Sequence, residues 1–243
     1  MMKLRRQLAE KAQQKDPEFR WRGGDVSRLE GFSDTVFGFA LTLLVVSLEV
    51  PRDFQALLEA MRGFASFAFC FFILFRIWES HYSFFRRYGL QDQLTVYLNG
   101  LLLFVVLLYV YPLKFVFTIF VNNVLGLGPR NITSFKIDIQ DGPALFIIYG
   151  LGFTAVYVLF ALFYANALRQ KRLLELNAWE QTFTQLEIQH NCLLASVGVL
   201  SVCIARFLPL SLIGFAGYSY ALIGVVETWC GWRIGSAKAQ HRS

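Results

Sequence analysis

Few side chains in this sequence have the types and spacing for chemistry, and they fall in three places. Arg28, Glu30, Ser33 and Asp34 open one long apolar stretch, Arg76, Glu79 and His81 interrupt a second, and Glu227 lies near the end of a third. A carboxylate–imidazole contact between Asp34 and His81, or a carboxylate–arginine contact, would keep Asp34 charged at less cost than isolation and could titrate as a unit. Beyond these groups there is little. The three histidines, His81, His190 and His241, belong to no HExxH pattern, no GxSxG is present, and no carboxylates are paired in matching positions. Cys70, Cys192, Cys203 and Cys230 stand singly, without CxxC spacing, and read as free thiols rather than a zinc site or disulfide frame. No catalytic residue, cofactor or bound metal is expected.

The elements that must position these residues are membrane helices. Apolar residues make up 56% of the 243, 25 of them Phe, and charged residues only 16%, against about 25% in an ordinary soluble domain. Segments 93–113, 142–168, 188–205 and 207–226 lack any Asp, Glu, Lys or Arg, and each reaches the roughly 18–20 residues that cross a bilayer core as helix. Segment 31–48 contains only Asp34, and segment 60–85 contains Arg62, Arg76 and Glu79. The expected fold is all-α, with six transmembrane helices in one domain over 28–235. An arm over 1–27 precedes it and a tail over 236–243 follows. Barrel strands would alternate lipid-facing and lumen-facing residues, and these runs are apolar throughout.

The net charge of +6 reflects topology rather than nucleic-acid binding. Lys and Arg gather before Gly31, at Arg86–Arg87, at Arg169 to Arg172 and after the last helix, which are alternate ends of successive helices. The positive-inside tendency places both termini in the cytoplasm of a multi-pass protein, with some anionic-lipid contact. The arm lacks an apolar signal core, and its Phe19-Arg20-Trp21-Arg22 cluster suits the headgroup layer or a solvated tail. Residues 173–189 read as a short amphipathic helix on the cytoplasmic surface, and Leu208-Pro209-Leu210 as a tight link between the last two spans. Asn131-Ile132-Thr133 is a glycosylation sequon by pattern alone, in the longest loop.

Helical geometry divides the first span into two surfaces. At roughly 100° per residue, Phe39, Thr42 and Val46 fall within an arc of about 60°, flanked by Thr35 and Leu43, while Asp34 lies about 140° from Phe39. A stripe facing a central axis and a stripe packed on another helix look alike by periodicity. On this geometry Asp34 would face its own bundle.

The motif RLEGFSD, from Arg28 to Asp34, fits RxxxFSD and resembles the first-helix motif of the bacterial and lysosomal potassium channels of the transmembrane protein 175 family. Phe32, Ser33 and Asp34 supply its FSD. Trp78-Glu79-Ser80-His81 is similar to the family's WxxH element. These motifs cover the first two helices, and the others match in layout alone. The resemblance implies a single-repeat bacterial subunit that assembles as a homotetramer in the inner membrane, with helix 1 lining the pore. Its constriction would fall at Phe39, five residues after the motif aspartate, and the threonine tied to selectivity at Thr42. Further apolar layers would fall at Leu43 and Val46, and permeant K+ or other monovalent cations would pass near Thr42. Arg28, Ser33, Asp34, Trp78 and His81 would anchor helix 1 to helix 2. The family usually carries Ile or Leu where this chain has Phe39. Glu49 could concentrate cations at the mouth or lie on the surface. Two other readings stay open: a proton-coupled transporter using Asp34 and His81, and a non-conducting membrane scaffold.

Overall fold

The computed structural model describes residues 19–46, 52–123, 125–126 and 139–242. Glu49, Pro51, the sequon and the first eighteen residues of the arm lie outside them. The described residues form six long helices: α1 (Arg28–Val46), α2 (Phe54–Tyr88), α3 (Gln93–Asn123), α4 (Gly142–Arg169), α5 (Ala178–Phe207) and α6 (Leu222–Arg242). Among the described residues five segments are long and apolar enough to cross a membrane by length and composition, namely α2 to α5 and the stretch Leu210–His241, which takes in all of α6 but its last residue. α1 is described over nineteen residues as far as Val46, and its apolar sequence runs on into residues outside the described set.

Local chemistry sets the helix ends. Asp53 accepts the Ala56 amide at 2.7 Å to start α2. Gly89 ends it with φ of 60°, the left-handed cap that suits glycine, and donates its amide to Phe85. Asn177 and Glu180 form a reciprocal capping box at the head of α5. From there α5 runs unbroken to Phe207, so much of the stretch expected as a separate amphipathic helix is the first turns of a span. Nothing between Ala178 and Phe207 stops it, because no proline occurs before Pro209. The link expected to be tight at Leu208-Pro209-Leu210 is longer. It passes through 3-10 turns at Leu210–Leu212 and Ser219–Ala221 and a five-residue helix, Gly214–Tyr218, before α6 begins. The helix then reaches Arg242, through most of the stretch expected as a tail.

The helices pack in a chain of neighbours. α4 and α5 share the most extensive interface, α6 leans on α5, and α1 packs against α2 and α3. Close approach of α4 and α5 depends on small residues: a Cβ on Gly198 would stand 3.0 Å from the Gly150 carbonyl oxygen and 2.3 Å from Thr154 Oγ1. Such contacts are how membrane helices associate when lipid is as apolar as their side chains. At the α2 C-terminal end, Phe84, Phe85, Tyr88, Phe160, Phe163 and Tyr164 build an aromatic core, with Phe84 and Phe163 centroids 5.0 Å apart.

Phe19, at the start of the described part of the arm, joins that core. Phe19 is 1% exposed and sits edge-on to Tyr88 and Phe183. The Arg22 and Gly23 amides donate to the Arg87 and Arg86 carbonyls. Gly23 permits this approach, since a Cβ there would be 2.7 Å from the Phe85 oxygen. Arg22 Nη2 lies 2.6 Å from Glu180 Oε2, with side chains 12% and 1% exposed. The arm is thereby fixed across the ends of α2 and α5 just before the chain enters α1.

Candidate ion pathway and its anchor

The site starts with the first turn of α1. Ser27 and Glu30 close a capping box: the Ser27 amide donates to Glu30 Oε2 at 2.8 Å, and the Glu30 amide to Ser27 Oγ at 3.1 Å. Glu30 is 8% exposed, and Arg86 approaches it at 3.9 Å. A carboxylate at this depth is therefore held by a helix N-terminus and a guanidinium.

From that turn α1 presents two faces. Glu30, Ser33, Phe37, Ala40 and Leu44 are buried against α2 and α3. Phe32, Thr35, Phe39, Thr42 and Leu43 are exposed in the single subunit, Phe39 at 62%. Thr35 and Thr42 hydroxyls donate to the Gly31 and Gly38 carbonyls at 2.9 and 2.8 Å, which leaves their oxygen lone pairs on the open face. Val46 ends the described helix on the same stripe, and its side chain lies outside the described residues.

The anchor differs in its pairings from the sequence expectation. Asp34 is exposed at the seam between α1 and α2 instead of facing into the bundle, and Trp78 Nε1 donates to its Oδ1 at 2.8 Å. His81 does not take Asp34. Its Nε2 lies 2.8 Å from Asn99 Oδ1 on α3, and Asn99 Nδ2 donates to Ser33 Oγ at 2.9 Å. Ser33 Oγ returns a bond to the Leu29 carbonyl at 2.8 Å. Ser33, His81 and Asn99 are almost fully buried, at 0%, 2% and 1% exposure. Ser33, not Asp34, thus carries the inward contact, because one residue turns the helix by about 100°. Arg28 is exposed, and its side chain makes no hydrogen bond or ion pair with another described residue.

Sequence reasoning missed Asn99. The available sign was an amide in the charge-free run 93–113, a polar group in hydrocarbon that must find a partner. Lys114, which follows that run, also reaches α1: its Nζ lies 3.4 Å from the Leu44 carbonyl oxygen.

The remaining charges serve a second region. Arg76 and Glu79 pair one turn apart on α2, and His190 lies 3.8 Å from Glu187 and 3.4 Å from Glu227. They border a cavity of about 1130 Å³ inside the subunit, among α2 to α6, to which α1 contributes no residue. At the turn into α3, outside the spans, burial pushes the Asp92 carboxyl up. Hydrogen bonds from Thr95, Gln170 and Asn166 outweigh that and hold it below its ordinary value. No cluster of His, Cys, Asp and Glu suited to a metal ion occurs among the described residues.

Known proteins resemble this chain in sequence and fold. The family model described as the endosomal/lysosomal potassium channel TMEM175 matches residues 28–109, which span α1, α2 and half of α3. A protein of Marivirga tractuosa named "Potassium channel" is 39% identical over 221 residues, covering 87% of this chain and 90% of its own length. The chain belongs to the TMEM175 family. A solved variant of the potassium channel MtTMEM175, in complex with a nanobody fusion, superposes with a TM-score of 0.81 at 37% identity, over 91% of this chain and 98% of that one. A lysosomal potassium-selective channel TMEM175 homolog from Chamaesiphon minutus shares the fold at a TM-score of 0.51 and 18% identity, over 84% and 96% of the two chains. As a TMEM175 protein the chain is an integral membrane protein and no enzyme.

Proposed function

We propose that this TMEM175 protein is a potassium-preferring cation channel, a homotetramer whose central pore is lined by α1. The observation that carries the reading is the division of α1 into an anchored face and an open one. Phe39, at 62% exposure, stands with Thr42 and Leu43 on the side away from the Ser33–Asn99–His81 contact. Four copies arranged about an axis would turn these open faces toward one another, and the relatives named as potassium channels support that use.

Phe39 then forms the narrow neck, with Leu43 and Val46 as further apolar layers. A narrow apolar ring expels water and gates by width and wetting. Its phenyl faces also attract a cation, by about 0.5–2 kcal/mol per ring depending on hydration. Four Thr42 hydroxyl oxygens, one turn further along, offer weak ligands to a partly dehydrated ion, a setting that favours potassium because it sheds water more readily than sodium. Ser33, Asp34, Trp78, His81 and Asn99 hold the helix in register and are not ligands. The membrane is the inner membrane of a bacterium, and both termini are cytoplasmic. The proton-coupled alternative loses its titrating pair, since Asp34 and His81 take different partners.

Flux through purified protein in liposomes tests the reading. Potassium, sodium and a large organic cation are compared for the parent, Phe39→Ala and Thr42→Ala. The expected result is potassium-favouring flux, raised by Phe39→Ala and deprived of its preference by Thr42→Ala. No flux from any variant with intact tetramers would overturn it.

A further inference from the structure

Lys114 occupies an unusual place in α3. It follows the charge-free run 93–113, and the sequence beyond it to Val121 is again apolar apart from Thr118. A lysine so placed ordinarily extends its stem toward water. Here the side chain is half-buried, and Nζ turns to the Leu44 carbonyl oxygen of α1 at 3.4 Å. A backbone carbonyl oxygen carries partial negative charge, so an ammonium is a favourable partner there.

The contact falls on the turn that bears the open-face residues. Leu44 is 1% exposed and locked between α2 and α3, whereas Leu43, its immediate neighbour, is 37% exposed on the open face together with Thr42. A force applied at the Leu44 carbonyl therefore fixes the rotation and height at which Thr42 is presented.

The geometry points to Lys114 as the positioning residue of the pore helix's outer turn, a residue that sets ion preference without touching the ion. This rests on the channel reading above. Loss of the ammonium leaves the apolar packing of α1 in place but loosens the turn that bears Leu44, and the Thr42 oxygens then no longer converge at one height.

The test uses the assembled full chain in planar bilayers, with the potassium-to-sodium permeability ratio read from reversal potentials. Lys114→Met keeps the stem and loses the donor, Lys114→Gln removes the charge on a shorter arm, and Lys114→Arg keeps a cationic donor. The ratio is expected to fall at least threefold in Lys114→Met and Lys114→Gln at unchanged oligomer size, and to stay within twofold of the parent in Lys114→Arg. A parental ratio in either neutral variant that assembles, while Thr42→Ala changes the ratio, overturns the proposal alone. If Thr42→Ala also leaves the ratio unchanged, the reading of α1 as the selective helix falls with it. Failure of both neutral variants to assemble overturns the proposal too, since Lys114 would then be structural.

Discussion

Removing Glu180 should destabilise the protein more than any single change at its surface. Its carboxylate accepts four bonds: from the Arg20 amide at 2.8 Å, from Arg22 Nη1 and Nη2 at 2.9 and 2.6 Å, and from the Asn177 amide at 3.0 Å. Glu180 is 1% exposed and Arg22 12%, so solvent replaces little of what is lost. Breaking one side of such a pair strands a buried charge, at a cost of about 3–5 kcal/mol, and loss of the capping box adds up to ~1 kcal/mol. At about 2–4 °C per kcal/mol for a chain of this size, Glu180→Leu should lower the melting midpoint by roughly 6–24 °C. The assay is thermal unfolding of purified protein in detergent, run on Glu180→Leu, Arg22→Met and the double variant. The double should recover most of the loss, because neither charge then remains without its partner. Single variants within 2 °C of the parent, or a double equal to the sum of the singles, would refute the argument that this pair clamps the arm.

Two further outcomes follow from the polar contacts. Asn99→Leu strands His81 Nε2, whose partner is the Asn99 oxygen at 2.8 Å, and should cost about 1–3 kcal/mol. Ser33 keeps its bond to Leu29, so a melt showing no loss, or a loss additive with His81→Leu, would sink the network. The depressed Asp92 carboxyl contributes stability that is fully present above its unfolded pKa of about 3.9 and is lost as pH falls through the lower folded value. Asp92→Asn should flatten acid unfolding over that window, and an acid profile identical to the parent's would count against the assignment.

Although the last helix begins at Leu222, late in the run 207–226 expected to form it, the sequence by itself determined the all-helical membrane architecture, the alternation of charged ends and the two faces of α1. These are local properties: a run without charges spans lipid wherever it packs, and a repeat near 3.6 residues fixes which side chains share a side. RxxxFSD and WxxH marked which helices meet. The partners of each polar group were not readable. Ser33 and Asn99 are 66 residues apart, and Arg22 and Glu180 158 apart. Whether such groups meet depends on the heights and crossing of helices that no local pattern encodes. So the tertiary structure alone decided that Asp34 takes Trp78, that His81 takes Asn99, that the arm enters the core, and that Lys114 turns inward to α1. A buried polar atom accepts whichever partner the packing brings within about 3 Å, and in this chain packing brought a third helix to the anchor.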